Sequence, residues 1–461
     1  MDEAVCVLDV GKTHAKLSLV GRDGRVRGAR RRANAAVVAE GRAVLDADGT
    51  EAWALASLAD AAREADIRAI VPVGHGAAAA LVEGDRLAAP VMDYEVTPPA
   101  EVAGAYARER DDFAVTGSPR LPAGLNLGVQ LFWQERLYPG LWPKRAMALP
   151  WAQYWAMRLS GEAASEATSL GCHTDLWRPH AGGWSALAER RGWAARFPAL
   201  QRADAALGPA RALGAPVLAG LHDSNASLNA ARAFPEVAGA PFSLISTGTW
   251  FVTFQCGGGA EVALDPARDV LINVDVEGRP VPSARFMGGR EYAAITGEAL
   301  GEATTFEAMT QLVAAGVRTR PSFAPGGPFQ GGQGAVVGRV GGPAERAALA
   351  ALHLALMSDV DLGLVGAIGP IVIEGRFAAD PIFAAVLAAL RPDRAVYACP
   401  DGGDAVALGA ARLVWPALAP AAPLRRVAPA PIELAAYAAR WRAEALETSN
   451  VRPLKSASAK G

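Results

Sequence analysis

The sequence is poor in the residues and patterns that mark several common functions. Its four cysteines, Cys6, Cys172, Cys256 and Cys399, are too far apart for a CxxC unit, and its six histidines are scattered without zinc-ligand spacing. Reduced, buried thiols are therefore expected, not a disulfide framework or a zinc centre. An excess of one charge is missing as well. Lys and Arg number 45 against 47 Asp and Glu, for a formal net charge of −2. Such a balance provides no field for a nucleic-acid backbone or an anionic membrane. The expected ligand is a small molecule, with neither nucleic acid nor membrane as partner.

Long apolar runs are wanting too. The most apolar stretch, Leu362 to Ile373, contains Gly366, Gly369 and Pro370 and falls short of the ~20 residues of a membrane span. It reads as a buried helix end running into a strand. The start, Met1-Asp2-Glu3, is acidic, and the apolar run behind it stops at Asp9, so neither part of a secretory signal is present. A cytoplasmic location is the expectation. Two nucleotide fingerprints are also absent: no GxxxxGK[ST] occurs, and no GxGxxG leads from a strand into a helix. A nucleotide site would have to be built from other parts.

What is present suits a two-domain globular protein. At 461 residues, 51% of them hydrophobic, the chain exceeds the roughly 250–300 residues at which single cores stop growing. Two short β-like runs, Ala4 to Val10 and Ala15 to Val20, flank Gly11-Lys12-Thr13-His14, and the Gly21–Gly24 turn sends the chain back through Arg25 to Arg27. This predicts a three-strand meander. Glu51 to Asp66 has a helical apolar face, and Ile67 to Val73 reads as a strand ending at Gly74-His75-Gly76. Helix followed by strand and glycine turn indicates α/β architecture.

Residues 122–196 are rich in tryptophan and read as loop-rich. A short strand, Ala215 to Gly220, then leads to His222-Asp223-Ser224-Asn225 and a helix from Ala226 to Phe234. Near Pro241 the opening pattern returns: Phe242 to Ser246, a Thr247-Gly248-Thr249 turn, and Trp250 to Phe254. Two halves that open alike predict a duplicated architecture with a cleft for a small ligand. The expected domains are 1–238 and 239–448, followed by a frayed tail, 449–461. The glycine-rich tract Pro325 to Gly342 reads as a surface loop.

The paired turns carry the chemistry. Asp9-Val10-Gly11-Lys12-Thr13 offers glycine-exposed backbone N–H groups, a hydroxyl, a cation and a carboxylate able to hold hydrated Mg²⁺. Ser246 to Thr249 offers a second set of donors. Each alone is more often an ordinary hairpin turn; their matched positions favour phosphate handling. Asp223, at a strand end before a helix, is placed to accept a hydroxyl proton, although Asp-Ser-Asn ahead of a helix is equally an N-cap sequence. His75 and His222 are candidates to hydrogen-bond a sugar hydroxyl.

Three segments, Asp9-Val-Gly-Lys-Thr-His-Ala-Lys16, Gly220-Leu-His-Asp-Ser-Asn-Ala-Ser227 and Ser246-Thr-Gly-Thr-Trp250, resemble the FGGY carbohydrate kinases in order and spacing. Further segments are similar to the L-fuculose and L-rhamnulose kinase-like branch: Pro72 to Ala77, Pro90-Val-Met-Asp-Tyr-Glu95, Gly124 to Gly128, Thr168 to Trp177 and Arg285-Phe-Met-Gly-Gly-Arg-Glu291. The resemblance implies an α/β fold of two ribonuclease-H-like domains of the actin and Hsp70 type around a central cleft. It implies ATP and Mg²⁺ as cofactors, a small ketose or deoxyketose as substrate, and Asp223 as catalytic base. Rival readings are a kinase for another pentulose or polyol, or a nucleotide-binding sensor of the same fold. A homodimer is compatible with either.

By this carry-over Asp9, Gly11, Lys12, Thr13 and Lys16 face phosphates and metal, with Asp9 and Asp223 as metal-side carboxylates acting through water. Thr247, Gly248 and Thr249 form the second phosphate loop. Gly74, His75, Gly76, Asp93, Tyr94 and His222 line the sugar site. The family's adenosine segment is a glycine pair followed by an asparagine. Here Glu374-Gly375-Arg376-Phe377-Ala378-Ala379-Asp380 stands in its place. Gly375, Arg376 and Asp380 are the residues expected near the nucleoside, and a guanidinium such as that of Arg376 can stack on a purine.

Overall fold

Strand β1, Glu3–Val10, is apolar on both faces and interrupted only by Asp9, as a strand at the centre of a sheet must be. The computed structural model describes residues 1–142, 146–258, 263–297, 301, 303–400 and 404–451. β1 pairs antiparallel with β2, His14–Gly21, and β2 with β3, Val26–Ala33. The meander expected from sequence thus forms, with its third strand longer than the Arg25 to Arg27 return suggested. Half-buried and exposed residues alternate along β3 because it lies at the sheet edge.

The helix Ala47–Glu64 starts at the Asp46 cap, which accepts from the Gly49 N–H, and ends at Ala65. It delivers the chain into β4, Asp66–Gly74, which lies parallel to β1. Three short strands complete this seven-stranded sheet: β5, Ala206–Pro209; β6, Pro216–Leu218; and β7, Leu221–His222. The order is β5-β6-β4-β1-β2-β3, with β7 also on β4.

The tryptophan-rich region contains the helices Leu127–Leu137 and Trp151–Ser160. Sequence reading missed them because most residues of each are buried, leaving too narrow a polar face to mark the helical period.

A second sheet repeats the same plan. β8, Phe242–Thr247, is antiparallel to β9, Phe251–Cys256, and parallel to β11, Ile371–Gly375. With β10, Pro280–Phe286, β12, Val396–Ala398, and β13, Arg425–Arg426, six of its seven strands run in the order β10-β9-β8-β11-β12-β13. The helix Pro343–Leu364 is long and apolar enough to cross a membrane by length and composition, yet 89% of its apolar window is buried. It is much longer than the helix end inferred from Leu362 onward.

The chain divides into two units. One holds Met1–Ala238 with the returning segments Leu271–Val281 and 404–423; the other holds Gly239–Val270, Pro282 to 400 and 424–451. Two contiguous halves were expected. The returns escape sequence reading because their residues look like ordinary strands and helices and carry no mark of which core they join. Of the expected tail, Ser449 and Asn450 are hydrogen-bonded to Leu446 and Gln330, and 452–461 lie outside the described residues.

Candidate functional site

Asp9 and Lys16 are cross-strand partners in the β1–β2 ladder, so their side chains share one face of the sheet. Lys16 is ion-paired with Asp404, which also takes a 3.4 Å hydrogen bond from Ser18 Oγ. Asp404 caps the helix Ala405–Ala411 through the Ala407 N–H. Asp9 Oδ1 is buried with no hydrogen-bond partner among the described residues. Burial, and then the carboxylates of Asp223 and Asp404, push the Asp9 carboxyl well above the usual range, with Lys16 opposing. The sequence reading did not single out Asp404, whose signal, Asp ahead of an alanine-rich helix, is that of any cap.

The turn between β1 and β2 is braced by Asn34 Nδ2, which donates to the Gly11 carbonyl at 2.8 Å. Lys12 was expected on phosphate, but its ammonium is ion-paired with Asp93, lies 3.8 Å from Glu95 and sits 5.4 Å from the centre of the Tyr94 ring. The structure thus groups Lys12 with the expected sugar-side residues Asp93 and Tyr94. Thr13 is exposed, its hydroxyl 3.1 Å from His14 Nδ1.

β4 and β7 bring the next set together. Leu221 pairs with Val73 and His222 with Gly74, which carries the start of the helix Asp223–Ala231 to the Gly74-His75-Gly76 turn. Gly220, immediately before β7, has φ +76° and backs onto the Pro72 carbonyl with no room for a side chain. At Gly76 a Cβ would stand 2.9 Å from Cys172 Sγ, 3.0 Å from His222 Nε2 and 3.4 Å from His173 Nε2, so glycine is what lets thiol and imidazoles converge.

His75 Nδ1 lies 2.8 Å from the Gly76 carbonyl, while its Nε2 is buried without a partner among the described residues. Its ring meets Tyr94 edge-on at 5.5 Å and Trp151 at 6.2 Å. Burial lowers its pKa, with the Gly76 carbonyl opposing. A recess lined by Gly11, Lys12, Asn34, Asp46, His75 and Trp151 opens beside it. Trp151, whose indole nitrogen is also buried and unpartnered, is a recess residue that sequence reasoning missed.

Asp223 opens its helix, and the cap position belongs to His222, which makes no side-chain cap bond. The N-cap alternative for Asp223 therefore does not describe its place. Oδ1 accepts from Ser224 N at 2.5 Å and lies 3.2 Å from His222 Nε2; Oδ2 has no hydrogen bond among the described residues. The carboxylate side chain is 31% exposed. His222 Nε2 also lies 3.3 Å from Cys172 Sγ. Burial alone raises a thiol, but His173 and His222 outweigh it and bring Cys172 down to about 5. Burial alone lowers an imidazole, but Cys172 and Asp223 hold His222 up at about 9.

In the second unit the turn after β8 is tied down from within. Thr247 Oγ1 donates to the Glu374 carbonyl at 2.6 Å and accepts from Phe377 N at 3.0 Å. Its hydroxyl proton, expected on phosphate, goes instead to the Glu374 carbonyl at the end of β11. The Gly248 N–H donates to the Trp250 carbonyl, and the Gly289 N–H to the Thr249 carbonyl. Thr249 is left exposed. Trp250 stacks against the Arg285 guanidinium at 4.6 Å.

Arg376 is exposed beside the Phe377 ring. Asp380, expected near the nucleoside, instead caps the helix Pro381–Leu390 through Ile382 N and Phe383 N. A carboxylate there stabilises the helix start. Among the described residues no group of three or more His, Cys, Asp or Glu is arranged to hold a metal ion directly.

The family model described as Carbohydrate kinase FGGY, C-terminal domain, matches residues 239–423. A carbohydrate kinase from Novosphingobium aromaticivorans is similar over 97% of this chain and 99% of its own, with 42% identity and a TM-score of 0.89. Plasmodium falciparum glycerol kinase with ADP matches over 98% of this chain and 99% of its own, at 10% identity and a TM-score of 0.79. A xylulose kinase from Lactobacillus acidophilus covers 97% of each chain, at 14% identity and a TM-score of 0.75. These last two likenesses are of fold. No curated protein matches the chain.

Proposed function

Because the chain belongs to the FGGY carbohydrate kinase family, we propose that it transfers the γ-phosphate of ATP to a hydroxyl of a ketose or deoxyketose of the L-fuculose or L-rhamnulose type. The observation that carries the reaction is the setting of Asp223. One carboxylate oxygen is held by Ser224 and faces His222, and the other is free of protein hydrogen bonds among the described residues on a partly exposed group. A carboxylate so oriented can take the proton of an attacking hydroxyl. His75, whose Nε2 lacks a partner, and the Lys12–Asp93 pair beside Tyr94 supply donors and acceptors for the other hydroxyls.

On this reading Gly11, Thr13 and Lys16 serve the phosphate side in the first unit. Gly248 and Thr249 serve it in the second, with Gly375 and Arg376 toward the nucleoside and Thr247 holding the turn in shape. The orphaned Asp9 Oδ1 suits a hydrated hard cation. Asp9 and Asp223 would hold Mg²⁺ through water, where it would offset charge on the phosphates.

A panel of ketoses, 6-deoxyketoses, pentuloses and glycerol, with ADP release as readout, tests the substrate assignment. ADP release greatest with a 6-carbon ketose or deoxyketose is expected. Preference for a pentulose or glycerol overturns the assignment while leaving a kinase. ATP binding without release for any sugar overturns phosphotransfer itself.

A further inference from the structure

We propose that Thr168, held by Glu166, is a positioning residue for phosphotransfer: its hydroxyl fixes the backbone at His222 and so sets where the Asp223 carboxylate stands. The inference rests on the reading of Asp223 as the base.

The chain of hydrogen bonds has only one direction. The His222 backbone N–H can only donate, and it reaches Thr168 Oγ1 at 2.9 Å. That hydroxyl therefore accepts from His222 and sends its own proton to Glu166 Oε2 at 2.6 Å. Glu166 gathers three more donors, Thr168 N at 2.9 Å, Ser169 N at 3.1 Å and Ser169 Oγ at 3.3 Å. Thr168 is 0% exposed and Glu166 2%, so water does not compete for these bonds and losing one leaves a buried group unpaired.

The tether falls where the strand is short and the helix start has no side-chain cap. β7 is two residues long, and His222, at the change from strand to helix, makes no side-chain cap bond. The bond to Thr168 comes from 54 residues away and grips the residue directly before Asp223. Buried, directional and remote in sequence, it pins the peptide that carries the base, whereas among the described residues the Asp223 side chain itself is anchored only by its neighbours Ser224 and His222.

Three variants of the full chain test this, each read by melting temperature, kcat, and KM for ATP and sugar. Thr168→Val keeps the shape and removes the hydroxyl. Its kcat should fall roughly 100-fold, the scale of a small misplacement of a reacting group, with KM for ATP unchanged. Thr168→Ser restores the hydroxyl and should recover most of kcat. Wild-type kcat in Thr168→Val, or a Ser variant no better than Val, overturns the proposal. If Thr168→Val does not fold, Thr168→Ala, which also removes the hydroxyl that accepts from the His222 N–H, replaces it, and unchanged kcat there overturns the proposal equally. Asp223→Asn separates the two claims. If it is inactive while Thr168→Val is normal, only the tether falls; if it turns over normally, the base falls and the tether with it.

Discussion

The Lys12 ammonium is ion-paired with Asp93, 81 residues further along the chain, and not free to meet phosphate alone. Asp93 is 3% exposed, and a buried carboxylate facing a cation needs that partner. Lys12→Gln should therefore act mainly on the sugar. Losing a charged hydrogen bond costs about 1.5–3 kcal/mol, or roughly a 10- to 100-fold rise in sugar KM, with KM for ATP changed little. Steady-state kinetics with each substrate varied in turn decide it. A rise confined to KM for ATP would return Lys12 to the phosphate side.

Gly76 is the point on which Cys172, His173 and His222 converge. Gly76→Ala places a methyl group within 3.0 Å of two of them. Forcing atoms into a filled space costs about 1–3 kcal/mol, and here the yielding atoms include the imidazole beside Asp223. Urea unfolding should show that loss of stability, and sugar-dependent ADP release should fall more than stability alone explains. A fully active, equally stable variant would show the convergence to be slack.

Thr247 joins two segments by one donated and one accepted bond. Thr247→Val keeps the volume but removes the bond to the Glu374 carbonyl and takes the acceptor from the buried Phe377 N–H, so a loss of about 1–3 kcal/mol is expected. With the turn loosened, ATP affinity should weaken. Isothermal titration with a non-hydrolysable ATP analogue measures it. Unchanged affinity would remove this turn from nucleotide binding.

How far the sequence reached can be judged from these residues. Both hairpins, their glycine and hydroxyl turns, and the strand leading to Asp223 were legible because local turn chemistry and alternation encode them. The direction of Lys12 was not, since a flexible side chain chooses among partners that only the fold brings near. Asp404 was missed because its tie to Lys16 spans 388 residues and its local sequence is that of a helix cap, which it also is. Turn chemistry and resemblance point to Thr247 and Asp380 as ligand contacts, but backbone groups engage their side-chain oxygens. The helices Leu127–Leu137 and Trp151–Ser160, buried over most of their residues, show too narrow a polar face to read.

Asp361 gives a pH dependence away from the site. It is 0% exposed, with both carboxyl oxygens unpartnered among the described residues. Burial, then Asp269, raise its pKa well above the usual range, Glu291 adding to them and Arg268 opposing. The unfolded chain ionises this group near pH ~3.9, and the folded one only much higher. Stability present below that pH is lost as pH rises toward the folded pKa. Asp361→Asn removes the dependence, so unfolding free energies from pH 4 to 7 should shift steadily in the variant's favour. A constant difference between the two proteins over that range would contradict it.

The most direct test of the account is sugar-dependent ADP release by Asp223→Asn beside the parent protein, each with its ATP affinity measured. The account predicts that the parent releases ADP with a ketose or deoxyketose, and that the variant binds ATP normally but loses turnover by at least roughly 100-fold, the lower range for a general base. Near-parental turnover in a folded Asp223→Asn protein would contradict it.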